Sequence, residues 1–440
     1  MIPPQKKGSG ARRAALGSFI GTTVEWYDFY VYSTAAALVF GTVFFPDTGD
    51  RLTGIVASFA TLAVGFFARP LGGIVFGHIG DRFGRKNTLV ITLTMMGIAT
   101  LLIGFLPTYA QVGSLAPVLL VILRFIQGLA VGGEWGGAVL MAVEHAPEEK
   151  KTFYGGIVQA GNPAGALLAT GAFSILTLNG KEFLLEWGWR LPFLASALLI
   201  LVGILIRIGV QESPVYEKAE RSNATGQQKS PLREAVGKNW RTILLGIGTL
   251  PAVIGGYYLV TTFVTAYATG PEIGASETLI LSALSAASLV ELAFTFIAAH
   301  FGDRFGRIRV VKFGVIGMAI LAVPQFLVFD WGNETAIFAV FILMRVAISS
   351  IYGPAATMLA QMFPPTARYT SVSLSYQTAG AIFGGLSPLV SAMLLQATGS
   401  IWPVILLLLA MCALNFICVA VAPQRNDAED LAREVEPAHQ

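Results

Sequence analysis

Three observations on this 440-residue sequence predict an all-α membrane protein with twelve transmembrane helices in two pseudo-symmetric six-helix bundles. Apolar residues make up 54% of the chain and charged residues only 12%, against about 25% charged in an average soluble domain, so the bilayer is the solvent. Long apolar runs follow one another from end to end, at a mean hydropathy of +0.67. The octapeptide His78-Ile79-Gly80-Asp81-Arg82-Phe83-Gly84-Arg85 returns, with one change, as His300-Phe301-Gly302-Asp303-Arg304-Phe305-Gly306-Arg307. The offset is 222 residues, close to half the chain, so one membrane unit is written twice.

The runs fall at 16–40, 53–77, 88–106, 116–143, 153–178 and 190–210 in the first half. In the second they fall at 241–268, 278–300, 310–329, 335–361, 371–396 and 400–422. Each suffices to cross a hydrocarbon core about 30 Å thick at about 1.5 Å per residue. Strands of a membrane barrel need only about ten residues, so helices are predicted. Span 1 follows a tail carrying Lys6, Lys7, Arg12 and Arg13, like the start of a signal peptide, but its apolar run is too long for one and is read as retained. The repeated octapeptide is the turn between spans 2 and 3, and again between spans 8 and 9. Further echoes tie the halves together: Pro147, Lys150 and Gln159 return as Pro365, Arg368 and Gln377. Arg69 maps onto Glu291 through the octapeptide offset, an exchange of charge at matching sites.

The resulting domains are a tail over 1–15, a bundle over 16–210, a linker over 211–240, a bundle over 241–422 and a tail over 423–440. The linker is rich in charge, with a short surface helix expected around 231–236. Twelve spans put both termini on one side. Of 29 Lys and Arg, 23 fall on that side, Arg51, Lys181 and Arg190 on the other, and Arg69, Arg124 and Arg345 inside spans. This asymmetry makes both ends cytoplasmic. Cys412 and Cys418 lie on different faces of one helix, which disfavours a disulfide, and no Cys/His cluster has metal spacing. No basic patch interleaved with aromatics suggests nucleic acid, and no Walker-type motif suggests a nucleotide cofactor.

Charges inside the spans mark the candidate site, because each costs at least about 2.5 kcal/mol at the bilayer centre and needs a partner. Asp28 in span 1 lies about 18 Å from the cytoplasmic face and Arg124 in span 4 about 12 Å from the outer one, so the two share a depth. Burial raises the proton affinity of such a carboxyl and a neighbouring arginine lowers it, so a pair that separates on a change of shape couples protonation to that change. Glu25 lies one turn from Asp28 and forms a second cluster with Arg69 and Glu134. Glu291 and Arg345 match in depth in the other half. A guanidinium fork fits a carboxylate, which makes these arginines candidates to hold an acidic substrate. Gln159, Asn162, Tyr257, Tyr258 and Gln377, with Trp26, Tyr27 and Tyr30, are polar or amphipathic at midplane depth and suit a cavity for a small hydroxylated acid; Tyr27 and Tyr30 are placed towards lipid. Gly132, Gly133, Gly136 and Gly137 suit close helix packing. In the turns, Asp81 is placed to accept hydrogen bonds from a neighbouring helix N-terminus, and Arg82 and Arg85 to pair with Glu144 at the end of span 4. Asp303, Arg304 and Arg307 repeat the arrangement. These seven residues are the candidate gate.

The turn Gly77-x-x-x-Asp81-Arg82-x-Gly84-Arg85-Lys86 resembles the signature loop of the major facilitator superfamily. Within it the chain is similar to the metabolite–proton symporter family and, in that family, to bacterial shikimate transporters. The carrying segments are Glu25-Trp26-Tyr27-Asp28-Phe29, Ala68-Arg69-Pro70-Leu71-Gly72, Arg124-Phe125-Ile126-Gln127-Gly128, Gly132-Gly133-Glu134-Trp135-Gly136-Gly137, Glu212-Ser213-Pro214 and Gly188-Trp189-Arg190-Leu191-Pro192-Phe193. The resemblance spans residues 11–422. It implies the major facilitator fold, a bacterial inner-membrane location, alternating access and proton-coupled uptake of a small organic acid such as shikimate, by a monomer without cofactor. Asp28 and Arg124 also resemble the proton-site pair of sugar porters, but Gly255-Gly256-Tyr257-Tyr258 lacks their sugar-holding Gln pair, which disfavours a neutral hexose. The alternatives are a betaine/proline or dicarboxylate symporter of the same family, a proton-driven drug exporter, disfavoured by the three intramembrane arginines, and a membrane sensor, which lacks a signalling domain. No catalytic constellation suggests an enzyme.

Overall fold

The computed structural model describes residues 7–46, 51–83, 85–132, 148–208, 231–364 and 368–424. Among them every regular element is a helix. Among the described residues seven helices are long and apolar enough to cross a membrane by length and composition, and Val90–Phe105 and Leu115–Val131 are shorter apolar ones. Among the described residues, each of the twelve predicted runs lies mainly on helix. In the first half the helices are Lys7–Leu38 (span 1), Arg51–Phe83 (span 2), Arg85–Phe105 (span 3), Leu115–Val131 (span 4), Lys151–Gln159 with Gly161–Thr177 (span 5) and Arg190–Ile208 (span 6). In the second half span 7 runs from Pro231–Gly248 through Val264–Ala268, followed by Glu277–Phe305 (span 8), Arg307–Leu327 (span 9), Glu334–Ala360 (span 10), Arg368–Ala379 with Gly385–Thr398 (span 11) and Trp402–Ala420 (span 12). The short surface helix expected at 231–236 is instead the opening of Pro231–Gly248, continuous with span 7. The helix runs through Gly237 without a break.

The packing repeats as the sequence does. Span 1 packs on span 5, span 2 on span 4 and span 3 on span 6; span 7 packs on span 11, span 8 on span 10 and span 9 on span 12. Spans 5 and 8 then join the halves on one side, and spans 2 and 11 on the other. Exchanging the halves maps one junction onto the other, as a pseudo-twofold axis requires. Large apolar side chains stand on the outer surface, among them Phe105, Leu178, Phe313 and Ile320, each at least 65% exposed. A water-soluble monomer rarely shows so many.

The halves differ in regularity. Span 1 is one uninterrupted α-helix. Its counterpart, span 7, passes through wider π-helical turns at Ala252–Gly256 and Leu259–Phe263, just after Pro251. Proline lacks an amide hydrogen and clashes with the preceding turn, so the helix must widen or break there. Asn415 of span 12 accepts the amide hydrogen of Ala252 at 3.3 Å. In lipid such a freed backbone group has no water to turn to, and a neighbouring side chain must satisfy it.

Candidate functional site

Glycine sets the position of the buried charges. A Cβ on Gly72 would lie 1.9 Å from the Leu129 carbonyl oxygen, and one on Gly128 would lie 2.1 Å from that of Gly65. Gly132 meets the Arg69 carbonyl in the same way, at 2.0 Å. Spans 2 and 4 therefore touch backbone to backbone, as small residues four apart allow. That approach brings Arg69 and Arg124 together beside span 1. A side chain on Gly65 would start 2.4 Å from Arg124 Nε, so the guanidinium lies in the groove that this glycine leaves.

Asp28 and Arg124 line one small cavity with Glu25, Arg69 and Gln127, of about 10 Å³. That is room for about one water molecule. The two charges do not form an ion pair. A chain of hydrogen bonds joins them instead. Arg124 Nη1 donates to Gln127 Oε1 at 2.7 Å, Gln127 Nε2 donates to Thr100 Oγ1 at 2.6 Å, and Thr100 Oγ1 donates to Asp28 Oδ2 at 2.9 Å. Every donor points from cation to carboxylate, an order in which each bond polarises the next. The Met96 carbonyl lies 3.0 Å from the same Thr100 hydroxyl, which has one proton to give and two acceptors. Asp28 Oδ1 and Arg124 Nε and Nη2 are buried without a partner. The guanidinium rests on the faces of Phe29 and Tyr32, 4.4 and 4.2 Å from their centroids.

In the second half the pair is direct. Arg345 Nη1 lies 2.6 Å from Glu291 Oε2, with side chains 3% and 0% exposed. Arg345 also covers the Tyr257 ring at 4.4 Å. Arg69 is the third buried guanidinium. It lies 4.6 Å from both the Phe29 and Phe66 centroids, and its Nε has no partner. Among the described residues it makes no hydrogen bond or ion pair.

Around Phe29 the aromatic rings of both halves meet. Trp26 stacks on Tyr30 at 5.7 Å, and Tyr258 of span 7 packs on Phe29 at 5.5 Å and on Phe66 at 5.3 Å. Tyr30 donates its hydroxyl to Asn162 Oδ1 at 2.9 Å, and Tyr27 donates to the Pro192 carbonyl at 2.8 Å. Both tyrosines are under 5% exposed, so neither faces lipid as expected; spans 5 and 6 cover them. The Trp26 Nε1 and the Tyr258 hydroxyl are buried without partners in this cluster. Gln159 and Gln377 reach across the halves: Gln159 Nε2 donates to the Tyr352 carbonyl at 3.4 Å, and Gln377 Nε2 to the Gly132 carbonyl at 3.0 Å.

The repeated turn builds a latch. Asp303 at the end of span 8 accepts the amide hydrogens of Thr152 and Phe153, both at 3.0 Å. These are free amides in the first turn of the helix Lys151–Gln159, whose own N-cap, Lys150, provides no side-chain acceptor. A carboxylate there satisfies orphan donors and faces the positive end of the helix dipole. Arg307 donates Nε to Thr152 Oγ1 at 2.7 Å, and Nη1 to Gln361 at the end of span 10. Arg304 sits over the Phe305 ring at 5.4 Å and joins no latch bond. Glu134 and Glu144 lie outside the described residues, as do the side chains of Asp81, Arg82 and Arg85.

The site contains residues that no charge or motif singled out. Thr100 and Phe66 look like ordinary members of apolar runs. Gln127 was visible three residues after Arg124, a spacing that shares a helix face.

Residues 14–247 match the family model described as "Sugar (and other) transporter", and residues 252–439 the model described as "Major Facilitator Superfamily". The chain is 40% identical to the shikimate transporter of Escherichia coli (strain K12) over 417 residues, which cover 92% of this chain and 93% of that protein. It is 33% identical to the proline/betaine transporter of Salmonella typhimurium over 395 residues, 88% of this chain and 78% of that one. Among solved structures, the proton:xylose symporter XylE bound to 6-bromo-6-deoxy-D-glucose superposes with a TM-score of 0.76 at 18% identity, covering 98% of this chain and all of that one.

Proposed function

The chain belongs to the major facilitator superfamily, so it is a membrane transporter and not an enzyme, and we propose that it imports a small hydroxylated carboxylic acid together with protons. The observation that carries this reading is the set of buried donors around Phe29. Arg69 offers a cation and a partnerless Nε, and Trp26 Nε1 and the Tyr258 hydroxyl, on rings of the same cluster, are buried without acceptors. Buried donors without partners are rare, and these match a ligand rich in acceptors: one carboxylate and one or more hydroxyl oxygens. A quaternary ammonium needs open aromatic faces. Here Arg69, Arg124 and Arg345 already lie on the rings of Phe29, Phe66, Tyr32 and Tyr257, which favours the acid over a betaine. Similarity to a shikimate transporter points the same way. The remaining substrate contacts are assigned to Gln159, Asn162, Tyr257, Glu291, Arg345 and Gln377, with Glu134.

Proton coupling is assigned to Asp28 and its relay, with Glu25 in the same cavity. An ionised Asp28 holds the Thr100 hydroxyl and, through Gln127, Arg124. A protonated Asp28 is a donor; Thr100 then turns its proton to the Met96 carbonyl, and the pull on Arg124 ends. Loss of that chain frees spans 1, 3 and 4 to shift as the bundles rock. The Asp303 latch, and its first-half copy at Asp81, Arg82 and Arg85 with Glu144, close the face bearing the repeated turns. The excess of Lys and Arg there assigns this face and both termini to the cytoplasm. One proton moving down 100 mV supplies ~2.3 kcal/mol, enough for roughly 50-fold accumulation of a load that is neutral when combined.

The test is uptake into proteoliposomes of labelled shikimate and labelled glycine betaine, with and without an inward proton gradient. The expected result is accumulation of shikimate only under the gradient. Accumulation of betaine alone would replace the substrate assignment, and uptake indifferent to every gradient would remove the proton.

A further inference from the structure

Arg51 is the first residue of the helix Arg51–Phe83. A cation at a helix N-terminus opposes the helix dipole, so its own helix gains nothing from it. It is also one of only three Lys or Arg that the charge asymmetry leaves on the outer face. Its hydrogen-bond partners among the described residues lie in the other half. Arg51 Nη2 donates to the Ala266 carbonyl and to Thr269 Oγ1, both at 3.2 Å. Ala266 belongs to the helix Val264–Ala268, the end of span 7, and Thr269 is the C-cap of that helix. The amide of Gly270 bonds to Tyr267 instead, which leaves the Ala266 carbonyl in need of a donor. Gly270 makes the room: a Cβ on it would lie 2.9 Å from Arg51 Nη1.

We propose that Arg51 is a gating residue of the transport cycle, a latch that closes the outer face by capping the C-terminus of span 7 across the two bundles. The geometry mirrors the inner latch with its charges reversed. Asp303 of the second half caps the positive end of a first-half helix; Arg51 of the first half caps the negative end of a second-half helix. Both ends of the latch are anchored to rigid parts. Tyr267, beside the capped carbonyl, packs on Phe263, Phe326 and Phe329, each at 6.1 Å, which ties this end of span 7 to span 9. Span 2 is tied to span 4 by the glycine contacts at Gly72 and Gly128. Two residues on, Thr53 accepts a hydrogen bond from Gln396 of span 11 at 2.7 Å, so the same helix end meets the second half twice. The outer face opens only if Arg51 lets go. In the structure the Asp303 and Arg51 contacts are both made.

The experiment measures access from outside. Thr265 lies one turn below Thr269 and is 3% exposed. In the full chain carrying Cys412→Ala, Cys418→Ala and Thr265→Cys, an impermeant maleimide added outside reports opening of the outer face. Arg51→Gln is expected to raise the labelling rate about tenfold or more, the worth of charge-assisted hydrogen bonds lost on one side of the equilibrium. Thr269→Ala, which leaves Arg51 in place and removes one neutral acceptor, is expected to raise it about two- to fivefold. Lys181 forms a pair with Glu277 on the same face but is 64% exposed, so Lys181→Ala is expected to leave the rate within about twofold. If Arg51→Gln does not insert, Thr269→Ala decides. Labelling at the parental rate in the inserted Arg51→Gln variant, or in Thr269→Ala where that one fails, overturns the proposal. So does a rise in Lys181→Ala as large as that in Arg51→Gln. No arm uses a substrate, so the outcome is independent of what the transporter carries.

Discussion

Each bundle holds at its centre a buried carboxylate and a buried arginine from a span-4-type helix, with Glu25 and Arg69 added in the first, and the two bundles use that pair differently. In the second, Glu291 and Arg345 touch at 2.6 Å. In the first, Asp28 and Arg124 are joined only through Thr100 and Gln127. A direct buried pair is a fixed structure, because breaking it strands a charge in a low dielectric. A relay through a hydroxyl with two acceptors has a second arrangement close at hand. The difference separates a bundle that holds its shape from one that responds to a proton.

The sharpest way to break the comparison is to neutralise both carboxylates. Asp28→Asn is expected to abolish gradient-driven accumulation while substrate exchange across proteoliposomes continues; sustained accumulation would dismiss Asp28 from coupling. Glu291→Gln is expected to act on stability instead, costing about 3–5 kcal/mol in thermal or denaturant unfolding because Arg345 loses its counter-charge. If Asp28→Asn proves the more destabilising of the two, the contrast between switch and strut fails.

Smaller effects sharpen it. Gly65→Ala places a methyl against Arg124 Nε, and a cost of about 1–3 kcal/mol from overpacking is expected, with weakened coupling. Thr100→Val cuts the relay at its turning point and loses about 1 kcal/mol of hydrogen bonding, while Thr100→Ser preserves it. The proton-to-substrate ratio should fall in the valine variant and survive in the serine one; equal ratios would make the relay a bystander. Asp303→Asn keeps an acceptor but loses the charge, and about 0.3–1 kcal/mol of latch strength with it. Labelling from the inner face should then rise a few-fold.

Much of this was legible in the chain itself. Run length and composition predict the spans, since only a helix of about twenty residues satisfies every backbone group across the bilayer. The duplicated octapeptide predicts the two-fold plan, and a buried charge in an apolar run announces itself by its expense, as Asp28, Arg69, Arg124, Glu291 and Arg345 all do. What periodicity could not reveal is contact between helices far apart in sequence. Depth places Asp28 level with Arg124, yet depth is one coordinate of three, and the intervening Thr100 lies in a third helix. Tyr27 and Tyr30 were misplaced for the same reason: a tyrosine at midplane depth reads alike whether lipid or another span lies beside it.

Composition and repetition, being properties of a line, determined the class of fold, the number of spans and the list of expensive residues. Only the packed helices decided which of those residues touch, because the glycine contacts of spans 2 and 4 set how closely the two backbones approach, which no spacing along the chain encodes.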